Sequence, residues 1–80
     1  MNLRPLVTEK AIMKIESENV LTFLVDQKNT KQEIKREIED LFKVKIDKIR
    51  TQIRNNSKIV YIKLNKKYLA IDIATKLGLM

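Results

Sequence analysis

The fold of this chain is decided by residues 48–65, which read KIRTQIRNNSKIVYIKLN. Apolar side chains alternate with polar ones before and after Asn55 and Asn56, a pattern typical of β-strands with one buried face. Asn tolerates the positive φ angles of tight turns, so Asn55, Asn56 and Ser57 predict the turn of a β-hairpin. The predicted apolar face consists of Ile49, Thr51, Ile53, Val60, Ile62 and Leu64. The opposite face consists of Lys48, Arg50, Gln52, Arg54, Ile59, Tyr61, Lys63 and Asn65.

Positive charge is concentrated in and around this hairpin. Residues 43–67 contain nine Lys or Arg residues and one acid, Asp47, which gives a formal charge of +8. The whole chain carries +7, so the remaining residues sum to −1. Surface strands carry Lys to discourage aggregation, but nine cations against one acid exceed that need. The localised charge therefore indicates a polyanionic partner.

Size and composition predict a single domain over residues 1–80. A chain of this length buries about 60% of the surface that its unfolded form exposes, which is enough for one core. With 44% hydrophobic and 34% charged residues, the composition is that of a folded protein. The apolar runs are far shorter than the roughly 20 residues that span a bilayer, and no apolar signal region follows Met1. We therefore expect a cytoplasmic protein.

The residue types that dominate catalysis and metal binding are scarce. The chain has no Cys and no His, so it lacks thiolate ligands, the commonest metal ligand and the commonest general base. Ser17 and Ser57 consequently have no His partner, and Gly78, the single Gly, cannot form a phosphate-binding loop. We expect no enzymatic activity, no metal and no cofactor.

The N-terminal half predicts a helix followed by a buried strand. Residues 1–7 are expected to be extended, and Thr8 can cap a short helix that ends at Met13 or Ile15. Residues 16–19 look like a turn. Residues 20–26 are rich in β-branched and aromatic side chains and predict a strand whose core face carries Leu21, Phe23 and Val25.

A second helix is predicted to follow a capping box at Thr30 and Glu33. Its apolar stripe consists of Ile34, Ile38, Leu41 and Phe42. The remaining face is charged and nearly balanced, with Glu39 and Lys43 spaced as an i, i+4 pair, so we interpret it as a solvated face.

The last third predicts a bulge, the hairpin and a closing helix. Val44 and Ile46 are apolar at even positions whereas Ile49 is apolar at an odd one, so a turn or bulge is expected near Asp47. Residues 66–77 predict a helix with Asn65 as a possible N-cap and Gly78 beyond its end.

The element order predicts class α+β. We expect a small antiparallel sheet of about three strands with helices packed on one face, a ferredoxin-like or split βαβ variant. The basic face of the hairpin then remains available to a partner.

Several segments together resemble large-subunit ribosomal protein family twenty-three, of the archaeal and eukaryotic type. The resemblance covers nearly the whole chain. It is carried by Pro5-Leu6-Val7-Thr8-Glu9-Lys10-Ala11, Thr30-Lys31-Gln32-Glu33-Ile34-Lys35, Leu41-Phe42-Lys43-Val44, Tyr61-Ile62-Lys63-Leu64 and Tyr68-Leu69-Ala70-Ile71-Asp72-Ile73-Ala74-Thr75-Lys76-Leu77-Gly78.

The resemblance implies a structural protein that binds large-subunit rRNA beside the exit of the peptide tunnel. It implies a docking platform there for the signal recognition particle and the nascent-chain-associated complex, with a ribosomal protein of family twenty-nine as neighbour. Glu9 matches the family's contact with exit-site factors. From the residues alone, Glu9 could equally stabilise the first turn of its helix through the helix dipole.

Some positions depart from the family pattern. Arg50 stands where the family has an Asn that contacts RNA, and Ile59 stands where it has a basic residue, which puts an RNA contact at Ile59 in doubt. Residues 54–58 are short, whereas bacterial members carry a long loop that reaches into the tunnel. A tunnel-lining loop is therefore not expected.

The main hypothesis is an rRNA-binding protein whose cations neutralise phosphates with release of counterions. The alternative is a small DNA- or RNA-binding regulatory or architectural module that uses the same sheet face. For Tyr61, stacking on a base and cross-strand packing against Arg50 or Gln52 are both open. The predicted rRNA-binding residues are Lys10, Lys14, Lys45, Lys48, Arg50, Gln52, Arg54, Lys58, Tyr61, Lys63, Lys66 and Lys67.

Overall fold

A computed structural model describes residues 3–78 of the chain. It contains a four-stranded antiparallel sheet and three helices, in the order β1 (Arg4–Pro5), α1 (Glu9–Glu18), β2 (Val20–Asp26), α2 (Lys31–Phe42), β3 (Ile46–Arg54), β4 (Ser57–Leu64) and α3 (Ala70–Lys76). The strands lie in the order β1-β2-β4-β3. Because β4 pairs antiparallel with both β2 and β3, the segment from β2 to β3 is a split βαβ unit. The predicted α+β class is confirmed, with the two-residue β1 as an additional edge strand.

The predicted extended stretch over residues 1–7 is seen from Leu3 onward, and residues 1 and 2 lie outside the described part. Within it, Arg4 pairs with Leu24 and Pro5 with Phe23. Proline has no backbone N–H to donate, and at an edge strand this does not interrupt the hydrogen bonds between the inner strands of the sheet. The N–H of Leu6 then donates to the carbonyl of Thr22 at 3.0 Å, which leads the chain into α1.

The main core lies on one face of the sheet, beneath α2 and α3. Phe23, Leu21 and Val25 of β2 are each 2% exposed or less, as the alternation predicted. Val60, Ile62 and Leu64 of β4 share that face. To the same cluster α2 and α3 contribute Ile34, Ile38, Ala70, Ile73 and Ala74, and α1 contributes Ile15.

α1 begins where the sequence predicts and ends later. The hydroxyl of Thr8 accepts a hydrogen bond from the N–H of Ala11 at 3.1 Å, which confirms the cap. The helix runs on to Glu18 and not to Met13 or Ile15, so the turn predicted over residues 16–19 is wrong. Polar residues there continue the helix on its exposed side, and Asn19 ends it in the left-handed conformation with φ of 59°.

α2 confirms the capping box, since Thr30 and Glu33 bond to each other's backbone N–H groups. Two other predictions for this helix differ. Leu41 is 60% exposed and not part of the apolar stripe. Glu39 accepts a hydrogen bond from the N–H of Ile46 at 3.1 Å, and so ties the helix to the start of β3.

The hairpin is confirmed in detail. Asn55 and Asn56 have φ of 50° and 63° and form a two-residue turn between β3 and β4. Ile46 pairs with Leu64 and Lys48 with Lys63, so one extra residue, Asp47, forms the predicted bulge. Toward the turn the apolar face of β3 emerges from the core, and Ile53 is 61% exposed.

The closing helix is shorter than predicted. α3 begins at Ala70, because residues 65–69 form a turn in which the side-chain oxygen of Asn65 accepts from the N–H of Lys67 at 3.1 Å. Asn65 is therefore not the helix cap. The N–H of Ala70 instead donates to Oδ1 of Asn19 at 2.6 Å. Gly78 follows the helix with φ of +77°, as predicted.

Candidate nucleic-acid interface

The predicted basic face of the hairpin is present on the side of the sheet opposite the main core. In the observed register Lys48 lies opposite Lys63, Arg50 opposite Tyr61, and Gln52 opposite Ile59. Directly opposed residues project to the same side of an antiparallel pair. The side chains of Lys48, Arg50, Gln52, Arg54 and Lys63 are exposed, and Tyr61 is half-buried.

One helix shares this face. The ammonium group of Lys14 on α1 lies 4.4 Å from the centroid of the Tyr61 ring. Thr22 and Ile59 point to the same side as Tyr61, and they are only 5% and 7% exposed. Ala11 is also buried but lies outside the main core cluster. α1 therefore covers the β2 side of the face and leaves the β3 side open.

A groove of about 600 Å³ lies between α1 and the hairpin. We call it the basic groove. One acid, Glu18, is found among the described residues that line it. Its charged and aromatic side chains are Lys14, Glu18, Lys48, Arg50, Tyr61 and Lys63, and Thr51, Gln52 and Val20 complete the lining.

The groove continues toward the start of α1. A second hollow of about 480 Å³ shares Lys14 and Tyr61 with the basic groove and adds Lys10 and Arg54 as cations. Glu9 lies at its edge, exposed, in the first turn of α1. This position is compatible with both interpretations of Glu9, the helix dipole and a contact with a partner.

The position of Tyr61 favours its packing role. Its hydroxyl donates to Oε1 of Gln52 at 3.3 Å, and one face of its ring is taken by Lys14. A cation over an aromatic ring contributes about 0.5–1 kcal/mol at an exposed site. Tyr61 thus joins α1 to the hairpin and fixes the floor of the basic groove.

Four of the predicted residues lie outside both the basic groove and the second hollow that continues it. Lys58 is on the core side of β4, because it occupies an even position like Val60, and its ammonium group donates to the carbonyl of Asn29. This hydrogen bond joins β4 to the loop that precedes α2. Lys45, Lys66 and Lys67 are exposed at the end of the hairpin away from its turn, where the N–H of Asn65 donates to the carbonyl of Lys45 at 2.9 Å.

Two residues of this region are not predicted by the sequence pattern. Glu18 falls in the predicted turn. Glu has a high helix propensity, so the same residues are also compatible with a continued helix, and this was the signal available in the sequence. Thr22 belongs to the predicted buried strand, and its buried hydroxyl has no hydrogen-bond partner within residues 3–78. No signal in the sequence shows that α1 lies above it.

Comparison with known proteins identifies the family. The family described as "Ribosomal protein L23" matches residues 1–69, most of the chain. The chain belongs to the ribosomal protein L23 family. The family resemblance predicted from the sequence is thereby confirmed.

Two relatives in the L23 family illustrate the match. "Large ribosomal subunit protein uL23" of Methanothermobacter thermautotrophicus is 46% identical over 77 residues, which cover 95% of this chain and 90% of the relative. The protein of the same name from Trypanosoma brucei brucei is 48% identical over 77 residues, 95% of this chain and 47% of the relative. The chain thus spans nearly all of the archaeal relative and about half of the trypanosomal one.

Two further findings concern the described part of the chain. Within residues 3–78, none of the helices combines the length and the apolar composition that a membrane span requires. No group of three or more acidic side chains in that range is arranged to hold a metal ion.

Proposed function

We propose that this protein is a structural constituent of the large ribosomal subunit and binds large-subunit rRNA through the basic groove. The observation that supports the proposal most is the gathering of Lys14, Lys48, Arg50 and Lys63 around one groove, in which Glu18 is the one carboxylate among the described lining residues. The protein acts in the cytoplasm, as part of the ribosome.

The groove binds the RNA backbone mainly through charge. Lys and Arg side chains that meet phosphates release condensed counterions, which makes the affinity strongly salt-dependent. Because Tyr61 donates to Oε1 of Gln52, the amide Nε2 of Gln52 is the group that can donate to a 2′-hydroxyl or a phosphate. Lys10 and Arg54 extend the contact toward the start of α1, and Lys45, Lys66 and Lys67 extend it past the far end of the hairpin.

The experiment that tests this proposal compares two charge-reversed proteins. Arg50→Glu with Arg54→Glu changes the open face, and Lys35→Glu with Arg36→Glu makes the same change in net charge on the exposed face of α2. Filter binding to a large-subunit rRNA transcript should weaken strongly for the first pair only. The slope of log affinity against log salt should fall by about one for each phosphate that the protein no longer neutralises.

The same assay separates RNA from DNA. Wild-type protein should bind a folded rRNA segment more tightly than duplex DNA of equal length at matched salt. Equal affinity for both would favour an architectural nucleic-acid-binding module. If both charge-reversed proteins bound rRNA equally weakly, the effect would come from net charge alone, and the proposal that RNA binds in the basic groove would be wrong.

The finer part of the proposal places the protein beside the exit of the peptide tunnel. There it neighbours a ribosomal protein of family twenty-nine and docks the signal recognition particle and the nascent-chain-associated complex, with Glu9 as a contact. Glu9 suits this role because it is exposed and lies at the edge of the hollow that continues the basic groove. The two-residue turn at Asn55 and Asn56 is too short to extend into a tunnel.

Replacement of Glu9 with Ala tests this part. We expect the variant to assemble into the large subunit while docking of the signal recognition particle to those ribosomes weakens, because one exposed carboxylate is removed. Cosedimentation of the particle with purified ribosomes measures the effect. Glu37→Ala on α2 is the control and should change nothing. A Glu9→Ala protein that fails to assemble would instead indicate a folding role at the helix start.

A further inference from the structure

A second groove, of about 500 Å³, lies between the later turns of α1 and the start of α3. Its floor includes Ile15, which is 5% exposed. Its wall carries Leu69 and Ile71, which are 56% and 38% exposed. Two exposed branched side chains beside a buried one form an apolar strip rimmed by polar residues, on which an apolar side chain of a partner can pack.

The rim of this second groove is acidic in a strongly basic protein. Glu16 and Glu18 of α1 line it, and Lys63 is the one cation among its described lining residues. The whole chain carries +7, so this is a local reversal of the overall charge. Carboxylates repel phosphates, and the second groove is therefore a poor surface for RNA.

We propose that the second groove docks a cationic amphipathic segment of a neighbouring protein. Apolar side chains of that segment pack on Leu69 and Ile71, and its Lys or Arg residues lie against Glu16 and Glu18. Complementary charge is the argument for this occupant, since apolar contact alone would admit any amphipathic partner. This inference assigns a protein partner to a surface separate from Glu9 and from the basic groove, and it does not depend on the proposed binding of rRNA.

The two grooves adjoin each other. Glu18 and Lys63 line both of them. A protein segment in the second groove would thus lie next to RNA in the basic groove. In this arrangement Lys63 contacts the RNA in the basic groove, and Glu18 contacts the cations of the docked segment.

An NMR titration of the isotope-labelled full chain tests the proposal. The probe is a synthetic helical peptide with a stripe of leucines flanked by lysines, and the matched control peptide carries glutamates in place of the lysines. We expect the lysine peptide to shift the amide signals of Ile15, Glu16, Leu69 and Ile71. The glutamate peptide should leave them unchanged.

Variants locate the contact. Leu69→Ser should weaken binding of the lysine peptide by about tenfold, because a half-exposed leucine no longer packs on it. Serine is well tolerated at a helix N-cap, which is where residue 69 lies. Leu41→Ser removes an equally exposed leucine from α2 and should leave the affinity unchanged. If Leu69→Ser fails to fold, Ile71→Ser serves the same purpose.

Other outcomes would overturn the proposal. These are equal binding of both peptides, no shift with either, or unchanged affinity in the Leu69 and Ile71 variants. Shifts at the same residues on raising the protein concentration alone would assign the groove to a second copy of this chain. Shifts at Leu69 and Ile71 with an rRNA fragment would assign it to RNA. Filter binding to rRNA is measured separately, so failure of RNA binding would leave this inference standing.

Discussion

At the scale of single residues, Asn19 joins three parts of the structure. It ends α1 with φ of 59°, a conformation that Asn adopts at lower cost than most residues. Its amide nitrogen donates to the carbonyls of Tyr68 at 2.8 Å and Leu64 at 3.4 Å, and its side-chain oxygen accepts from the N–H of Ala70. One side chain therefore replaces the missing local cap of α3.

Replacing Asn19 with Ala should lower the free energy of unfolding by about 2–4 kcal/mol. The substitution removes the side-chain hydrogen bonds of Asn19. It also places Ala at a positive φ angle, which Ala adopts at a higher cost than Asn. Urea denaturation followed by circular dichroism measures the change. Asn19→Gly retains the backbone conformation and should cost less than Ala. Equal stability of the Ala variant and wild type would show that these hydrogen bonds contribute nothing to the fold.

The sequence could not predict this role of Asn19. Its partners Leu64, Tyr68 and Ala70 lie 45 or more positions away along the chain. A sequence pattern shows only local signals, and the local signal for an N-cap before the last helix was Asn65. The sequence therefore predicted Asn65 as the cap and not Asn19. The i, i+4 spacing of Glu39 to Lys43 predicts a surface pair, but the carboxylate of Glu39 accepts from the N–H of Ile46, which is brought back to it only once the chain has turned from α2 into β3.

At the scale of elements, the hairpin was predictable because each of its signals is local. Alternation places the side chains on two faces, two asparagines form the turn, and a change of phase marks the bulge at Asp47. The ends of α1 and α3 were not predictable to the residue. Helix ends depend on tertiary hydrogen bonds, and the polar residues 16–18 are acceptable both in a helix and in a turn.

The turn provides the prediction at this scale. Asn56 has φ of 63°, so Asn56→Val should lower the free energy of unfolding by about 1–2 kcal/mol, since a β-branched side chain is strained at positive φ. Asn56→Gly should leave stability equal or raise it slightly, because Asn-Gly is the preferred pair for such turns. Chemical denaturation of the three proteins measures the order. A valine variant as stable as wild type would contradict the turn geometry.

At the scale of the whole molecule, charge and packing are separated by the sheet. The core lies under α2 and α3 on one face, and the cations of the hairpin other than Lys58 project from the other. Sequence alternation predicted this separation. It did not predict that α1 would cover the β2 side of the basic face. The sequence pattern therefore gives no reason to count Lys14 among the RNA-binding residues. The structure gives one, because Lys14 lies over Tyr61 and lines the basic groove.

The position of α1 also divides the surface by function. Its first turn presents Glu9, its middle contributes Lys14 to the basic groove, and its end contributes Glu16 and Glu18 to the second groove. One helix thus borders the surfaces that we assign to exit-site factors, to RNA and to a cationic protein segment. The length of α1, which the sequence underestimated, is what brings the acidic end into place.

The central claim is that rRNA meets this protein in the basic groove. It is tested most directly by ultraviolet crosslinking of protein to RNA in cell lysate, with the crosslinked residues and nucleotides mapped by mass spectrometry. We predict crosslinks to large-subunit rRNA at Lys14, Lys48, Arg50, Tyr61 or Lys63. Crosslinks confined to the outer face of α2, at Lys31, Lys35 or Arg36, would contradict this claim.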